Sequence, residues 1–420
     1  MPPRWVIGLA SGSSGDGVDA ALAELHGVGL ELRPRLAHAL HQPYPPELRE
    51  LLLRASGTAA CEVRQVSLLH RLLGETFAAA ARAVAGVASL SFQQVQCVGC
   101  SGHTVWHDLD GRFPSTLAVG MPAVVAERTG LTVVSDFAAR DVAAGGQGVP
   151  LAALTDYLLF RDPQESRVLL HLGGLARVVF LPANCRPHEI VAFEAAPCNL
   201  LLDALMSHLT HGRESCDAGG KHAVQGKCIE PLLEQWLAHP ALQRRPPRSL
   251  PRHAFGEEFA AQAAAQARQL GGGPHDVLCT ATHFAARALT EALERYLLQQ
   301  PSRPSGPAAA WPWARRFDRV LLSGGGVRNG LLWRLLEQQF GVVPLDRTDD
   351  VGVPAHGRKA LSFGLLAALT LDGVPASLPA ATGAPAPRLL GSVTPGAPAN
   401  WSRCLAWMAA QAPPRPDEDE

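Results

Sequence analysis

Two glycine-rich turns near opposite ends of this 420-residue chain carry the residue types that hold a phosphate. The first is Ser11-Gly12-Ser13-Ser14-Gly15-Asp16-Gly17-Val18-Asp19, directly after the apolar run 5–10. The second is Ser323-Gly324-Gly325-Gly326-Val327-Arg328-Asn329-Gly330, directly after 319–322, which reads as a buried strand. Glycine lets the backbone approach a phosphate closely, and the exposed N–H groups bind its oxygens. Ser11, Ser13 and Ser14 add hydroxyl donors. Asp16 and Asp19 would repel a bare phosphate, and they make sense if one of them orients Mg²⁺ through water. Neither turn is a P-loop, because neither contains Gly-Lys-Ser/Thr, and the second lacks the spacing of a dinucleotide fingerprint. Either turn alone also fits an ordinary tight turn. Together with Gly173-Gly174, the pair points to a nucleotide site split between two domains.

Other reactive spacings carry less. Cys97-Val98-Gly99-Cys100 has redox or half-zinc spacing, but no second such pair accompanies it, and 93–100 reads as an extended strand. His103 and His107 stand four apart on a segment expected to be strand and loop, not the helix that a metal pair at that spacing needs. No residue is assigned as a metal ligand. Trp106 is expected to pack rather than to form a sugar platform.

The elements that must position these groups alternate in type. Residues 5–10 read as a buried strand feeding the first turn, with 18–25 returning. Helical spacing covers 68–85, and 95–100 and 131–135 read as further strands. Residues 168–172 and 176–181 flank Gly173-Gly174 as a hairpin. Strand 319–322 runs through the second turn into a helix over 331–340. Strands alternating with helices indicate an α/β fold. A loop rich in Pro, Ser and Ala is expected at 299–312, and a disordered acidic tail at 413–420.

The length favours two domains, and 47% hydrophobic residues suffice for sizeable cores. A net charge of −1 gives no global field for nucleic acid or an anionic membrane, and the arginines read as scattered. No apolar run reaches the ~18–20 residues of a membrane span, and the N-terminus does not read as a signal peptide. Nine cysteines form no compact disulfide framework, which suits a reducing cytoplasm.

In order along residues 6–397, these segments resemble the anhydro-N-acetylmuramic acid kinase family. Residues 11–19 resemble its S-G-T-S-L-D-G-V-D opening, and Gly99 to His107 its G-x-H-G-Q-T-V-W-H. Asp136-Phe137-Ala138-Ala139-Arg140-Asp141, followed by Gly145-Gly146-Gln147-Gly148, resembles D-F-R-R-R-D and G-G-Q-G. His171-Leu172-Gly173-Gly174-Leu175-Ala176 resembles N-I-G-G-I-A, and Phe193 to Asn199 falls where the family has F-D-T-G-P-G-N. Gly324-Gly325-Gly326 with Asn329 matches G-G-G-x-x-N, and Leu378-Pro379 with Thr382-Gly383-Ala384 matches L-P-x-x-T-G-A.

The resemblance implies a two-lobed actin-like (ribonuclease H-like) α/β fold with an ATP cleft between the lobes. The first lobe is expected over 1–150, with a helix at about 355–375 packing back on it, and the second over 151–354. A C-terminal extension is expected over 376–412. The implied reaction opens the 1,6-anhydro ring of anhydro-N-acetylmuramic acid with water and phosphorylates O6 from ATP–Mg²⁺. Glu194 falls where the family has its base, an Asp. Nucleotide contacts are implied for Gly12, Ser13, Ser14, Gly15, Asp16, Gly17, Val18, Asp19, Gly173, Gly174, Gly324, Gly325, Gly326 and Asn329. Substrate contacts are implied for His103, Thr104, Asp136, Asp141 and Asn199. The partners are a small amino sugar and a second copy in a homodimer, with no nucleic acid and no membrane, in the cytoplasm. Departures cluster on the sugar side: Ala138, His171, Arg177, Ala196, Cys198 and Lys359 replace Arg, Asn, Asn, Gly, Gly and Glu. They keep open two alternatives, a non-catalytic ATP- and sugar-binding relative and a kinase for another amino sugar.

Overall fold

The computed structural model describes residues 3–12, 14–57, 61–109, 112–298 and 316–411. Ser13, the loop expected at 299–312 and the tail 413–420 lie outside the described residues. The chain divides into two compact units, Met1–Leu159 with Gly352–Glu420, and Phe160–Val351. The boundaries expected at 150/151 and 354/355 differ by a few residues.

In the first unit, near-continuous apolar runs build the buried strands β1 (Arg4–Ser11) and β2 (Gly17–His26), which with β3 (Arg33–Pro43) form an antiparallel meander. The helices Pro46–Ser56 and Val63–Val87 then carry the chain to β4 (Val95–Cys100), parallel to β1. A parallel pair needs such a crossover. The hairpin β5 (His103–Asp108) and β6 (Ser115–Val119) stands as a separate two-stranded sheet. The main sheet resumes with β7 (Thr132–Ser135), parallel to β4. The strand expected from residue 93 begins at Val95, because Phe92–Gln94 forms a 3₁₀ turn capped by the Ser91 hydroxyl.

The second unit repeats this plan. β8 (Arg167–Leu172), β9 (Leu175–Leu181) and β10 (Val191–Pro197) form an antiparallel meander. A long helical stretch leads to β11 (Arg319–Ser323), parallel to β8, and β12 (Leu345–Arg347) follows, parallel to β11. Both sheets therefore share one order, third–second–first–fourth–fifth strand, with the first three antiparallel and the last two parallel to the first. That order is the ribonuclease H-like pattern, repeated in two halves. Each half has its own core, around Leu9, Leu22, Leu73, Phe77 and Val98 in one and Leu170, Phe193, Leu205, Phe284 and Leu322 in the other.

The C-terminal segment completes the first unit. The helix Ala355–Leu371 lies backbone-to-backbone across β1 and β4. A Cβ on Gly8 would sit 1.8 Å from the Ala360 carbonyl oxygen, and one on Gly99 1.9 Å from that of Phe363, so only glycine fits there. The segment expected as an extension supplies β13 (Ser392–Thr394), which pairs with β7. Asn400 then fastens the last helix by accepting from the Thr132 N–H and hydroxyl, both at 2.7 Å.

Candidate functional site

Open α/β sheets collect ligands at the carboxyl ends of their parallel strands. In the first unit β1 ends on Ser11, and β4 and β7 run directly into Ser101 and Asp136. Ser11 anchors a buried polar chain. Tyr44 donates its hydroxyl to Ser11 Oγ (2.8 Å), which lies 2.7 Å from His103 Nδ1. His103 Nε2 lies 3.3 Å from Ser56 Oγ, and Ser56 donates to the Leu52 carbonyl. The donors run one way. Ser56 spends its hydrogen on Leu52, so it accepts from His103 Nε2–H, and in the neutral ring Nδ1 then accepts from Ser11. Burial pushes the Tyr44 phenol up, which keeps it protonated at the head of the chain. Lys359 reaches in from the helix Ala355–Leu371 and donates to the Ser11 carbonyl (2.7 Å).

The turn that follows is open. Gly15 adopts φ +58° and donates its N–H to the Gly12 carbonyl, and the Ser14 hydroxyl donates to Asp16 Oδ1 (2.7 Å). Asp19 lies 2.8 Å from His41 Nδ1. Burial raises its carboxyl, while His41 and Lys359 pull it back down. Asp136 holds a left-handed backbone (φ +57°) and accepts from the Ser135 hydroxyl at 2.7 Å. Such a conformation in a non-glycine residue is strained and marks a position held by its surroundings.

Several expected contacts of this unit have other tasks. The Val18 side chain is fully buried in the core, so only its backbone could face a nucleotide. Gly17 is required by strand packing, because a Cβ there would meet the Gln42 carbonyl oxygen at 2.4 Å. His103 is occupied by the buried chain, and Thr104 is exposed on β5. Asp141 is fully buried and braces the following loop, accepting from Gly148 N–H (2.8 Å) and the Thr382 hydroxyl (2.9 Å). Trp106 does not pack as expected. It is 55% exposed because strand alternation on the separate hairpin turns Val105 inward and Trp106 outward. Cys97 and Cys100 are buried free thiols pushed up by burial, Cys100 to about 12, which suits neither redox nor metal chemistry.

In the second unit the glycines converge. Gly173-Gly174 turns β8 into β9, and Gly324 follows β11. Gly324 adopts φ +87°, and a Cβ there would stand 2.7 Å from the Leu172 carbonyl oxygen. A Cβ on Gly326 would meet Leu172 Cβ at 2.6 Å. Asn199, expected on the sugar side, sits in this glycine cluster. It donates its amide to the Leu172 carbonyl (3.2 Å), and a Cβ on Gly325 would lie 3.3 Å from its nitrogen. The carbonyls of Gly173 and Gly174 accept the N–H groups of residues 198–200 and so cap the helix Asn199–Leu209. Asn329 is the N-cap of the helix Gly330–Phe340, accepting from Leu332 N–H (3.1 Å). Its Oδ1 is committed to this cap.

Glu194 lies on β10 opposite Arg177 of β9. It is only 4% exposed. Oε2 accepts from Leu250 N–H (2.9 Å), and Oε1 pairs with Arg177 Nε (3.5 Å). Arg248 straps the strand beside it, donating to the carbonyls of Glu194, Ala195, Leu242 and Arg244. Arg252 adds a third guanidinium that feels both Glu194 and Arg177. Sequence reading missed Arg248 and Arg252 by treating the arginines as scattered. Four of them, Arg244, Arg245, Arg248 and Arg252, fall within nine residues, and that run was the available signal.

The chemistry available is a clamped buried carboxylate in one unit and an open glycine–serine–aspartate turn beside a lysine in the other. The sequence profile of the anhydro-N-acetylmuramic acid kinase family matches residues 4–396. The chain is similar to the anhydro-N-acetylmuramic acid kinase of Salinibacter ruber, 38% identical over 399 residues that cover 93% of this chain and 96% of the relative. That of Streptomyces coelicolor is 38% identical over 93% of this chain and 94% of its own. That of Caldanaerobacter subterraneus subsp. tengcongensis is 32% identical over 93% and 97%.

Proposed function

Because this chain belongs to the anhydro-N-acetylmuramic acid kinase family, we propose that it uses ATP to open 1,6-anhydro-N-acetylmuramic acid hydrolytically and to phosphorylate O6. The product is N-acetylmuramic acid 6-phosphate. The observation that carries the reading is Glu194, a buried carboxylate on the strand that runs straight into the glycine-capped helix Asn199–Leu209.

Glu194 takes a proton from water as its oxygen bonds to the anomeric carbon and the bond from that carbon to O6 breaks. O6 then accepts the γ-phosphoryl group, and ADP leaves. Arg177 and Leu250 N–H each engage one carboxylate oxygen, and each oxygen keeps a lone pair for that proton. In the first unit the turn Gly12 to Asp19 offers backbone to the phosphates, and in the second Gly173, Gly174 and Gly324 to Gly326 offer backbone to a nucleotide. Asp16 and Asp19 are oxygen donors beside the open turn, a donor set that fits Mg²⁺, and they would hold it. Bound there, the ion would offset charge on the phosphates. Lys359, fixed at the Ser11 carbonyl, brings a positive charge to the same strand end. The reading carries a homodimer in the cytoplasm. Among the described residues no helix is long and apolar enough to cross a membrane.

The test is ADP release in a coupled assay over a panel of amino sugars. Wild type should respond to 1,6-anhydro-N-acetylmuramic acid. Glu194→Gln should keep ATP binding and lose turnover by roughly 10²–10⁴-fold, the loss typical of a missing general base. Equal turnover by Glu194→Gln would move the base to Asp136. No release with any sugar would favour the non-catalytic alternative.

A further inference from the structure

We propose that His171 and Arg177 are positioning residues that aim Glu194, and that the three work as one interdependent unit. The inference rests on the function proposed above and adds the residues that place its base.

Along the chain these are three separate departures from the family motifs, but the sheet makes them neighbours. Glu194 on β10 stands directly opposite Arg177 on β9, and Arg177 stands directly opposite His171 on β8. His171 is in turn in register with Ser323 at the end of β11. Directly opposite side chains share a face of the sheet, with Cβ atoms about 4.5–5.5 Å apart in an antiparallel pair. One row of side chains therefore crosses four strands, and it ends where the second glycine turn begins.

The row is anchored at both ends and loose in the middle. His171 is fixed. Its Nδ1 lies 3.2 Å from Ser323 Oγ, and the ring passes over two glycines. A Cβ on Gly173 would stand 3.0 Å from its Nε2, and one on Gly324 3.1 Å from its Cε1. Glu194 is held at Oε2 by Leu250 N–H (2.9 Å). Arg177 has less. Its Nε reaches Glu194 Oε1 only at 3.5 Å and makes no hydrogen bond among the described residues. A long side chain held by one such contact keeps much of its rotamer freedom, so its place depends on the space its neighbours leave. The imidazole fills the β8 side of that space, which leaves Arg177 the β10 side and keeps it against Glu194.

The longer base needs that restraint. Glutamate carries its oxygens about 1 Å or more beyond those of aspartate, and a misplacement of that size costs roughly a hundredfold in rate. The register also slips by one residue between Glu194 and Ala196, a bulge beside the base that re-aims the strand. Arg177 draws one carboxylate oxygen toward β9 while Leu250 N–H holds the other. Asparagine at 171 is shorter than histidine and would open room for Arg177 to turn away.

The experiment uses the full chain, with crystal structures of wild type and His171→Asn and ADP release with 1,6-anhydro-N-acetylmuramic acid. In His171→Asn the Arg177 guanidinium should leave the salt-bridge reach of about 4 Å from Glu194. His171→Asn, Arg177→Asn and Glu194→Asp should each lower kcat about tenfold and leave KM and Tm close to wild type. Adding His171→Asn to Arg177→Asn should cost less than about twofold more, because no guanidinium remains to be confined. The triple variant should exceed the product of the three single losses by about tenfold or more. An Arg177 that stays against Glu194 in His171→Asn, or losses that multiply independently, would overturn the unit. If wild type turns over no amino sugar, the function proposed above fails, while the two crystal structures still decide whether His171 places Arg177.

Discussion

Replacing Arg248 by methionine should unfasten the strand that carries Glu194. Arg248 is 1% exposed, and among the described residues it forms no ion pair with a carboxylate. Its Nε donates to the Glu194 carbonyl (2.8 Å), one Nη to Ala195 (2.8 Å), and the other to Leu242 (2.7 Å) and Arg244 (3.0 Å). The faces of Phe193 and Tyr296 stand 5.6 and 5.3 Å from its central carbon. Burial pushes the guanidinium down to about 10, so it remains charged at neutral pH. Methionine keeps most of the length and apolar contact but removes every donor. Each buried acceptor left unpaired costs about 1–3 kcal/mol, partly offset because the charge no longer has to be desolvated. Together these give a net loss of about 3–5 kcal/mol, the range found when one partner of a buried charged network is removed. For a unit of this size that corresponds to a fall of roughly 6–20 °C in Tm. In calorimetry the variant should melt early, and Arg248→Lys should lie between it and wild type. At a temperature where the variant remains folded, kcat should fall on the order of a hundredfold, because a base displaced by about 1 Å loses that much. A Tm within 2 °C of wild type would refute the strap. Early melting with wild-type kcat would refute its role in placing Glu194.

The remaining expectations concern the first turn and an acid raised by burial. Gly12→Val should fold normally, since the nearest atom to a Cβ there is Ser14 Oγ at 3.3 Å, yet should weaken ATP binding severalfold by titration. Gly17→Val should lower Tm first, because its branched side chain meets the Gln42 carbonyl, and ATP loss in that variant would say nothing about phosphate contact. Asp203, on the helix Asn199–Leu209, is raised to about 6 by desolvation. Its folded state therefore holds the proton more tightly than the unfolded chain, and stability falls as pH rises from the ordinary carboxylate range through about 6. Asp203→Asn should raise the urea midpoint at pH 7.5 and leave it nearly unchanged at pH 4. An equal gain at both would refute the titration.

What the sequence determined by itself was local. An apolar run followed by glycine and serine must leave a sheet and turn, so both phosphate-type turns and the Gly173-Gly174 hairpin were legible. Their order along the chain also made the family resemblance legible. The tertiary structure decided which candidate had a free hand. Asp141 and Asn329 are the same residue types whether they meet a ligand or brace a loop, and only the fold brings Thr382 and Gly148 to one and Leu332 N–H to the other. Trp106 looked like a core residue until the hairpin that bears it proved to stand apart from the main sheet. Arg248, which straps the strand of Glu194, comes from a segment more than fifty positions away, and no periodicity reports a contact at that separation. The return of the helix Ala355–Leu371 onto Gly8 and Gly99 is a matter of backbone approach, which leaves in the sequence only two glycines inside strands. Local patterns arise from bonds a few residues long and can be read along the chain. The site depends on which distant polar groups are already satisfied, and that is settled only when the chain closes on itself.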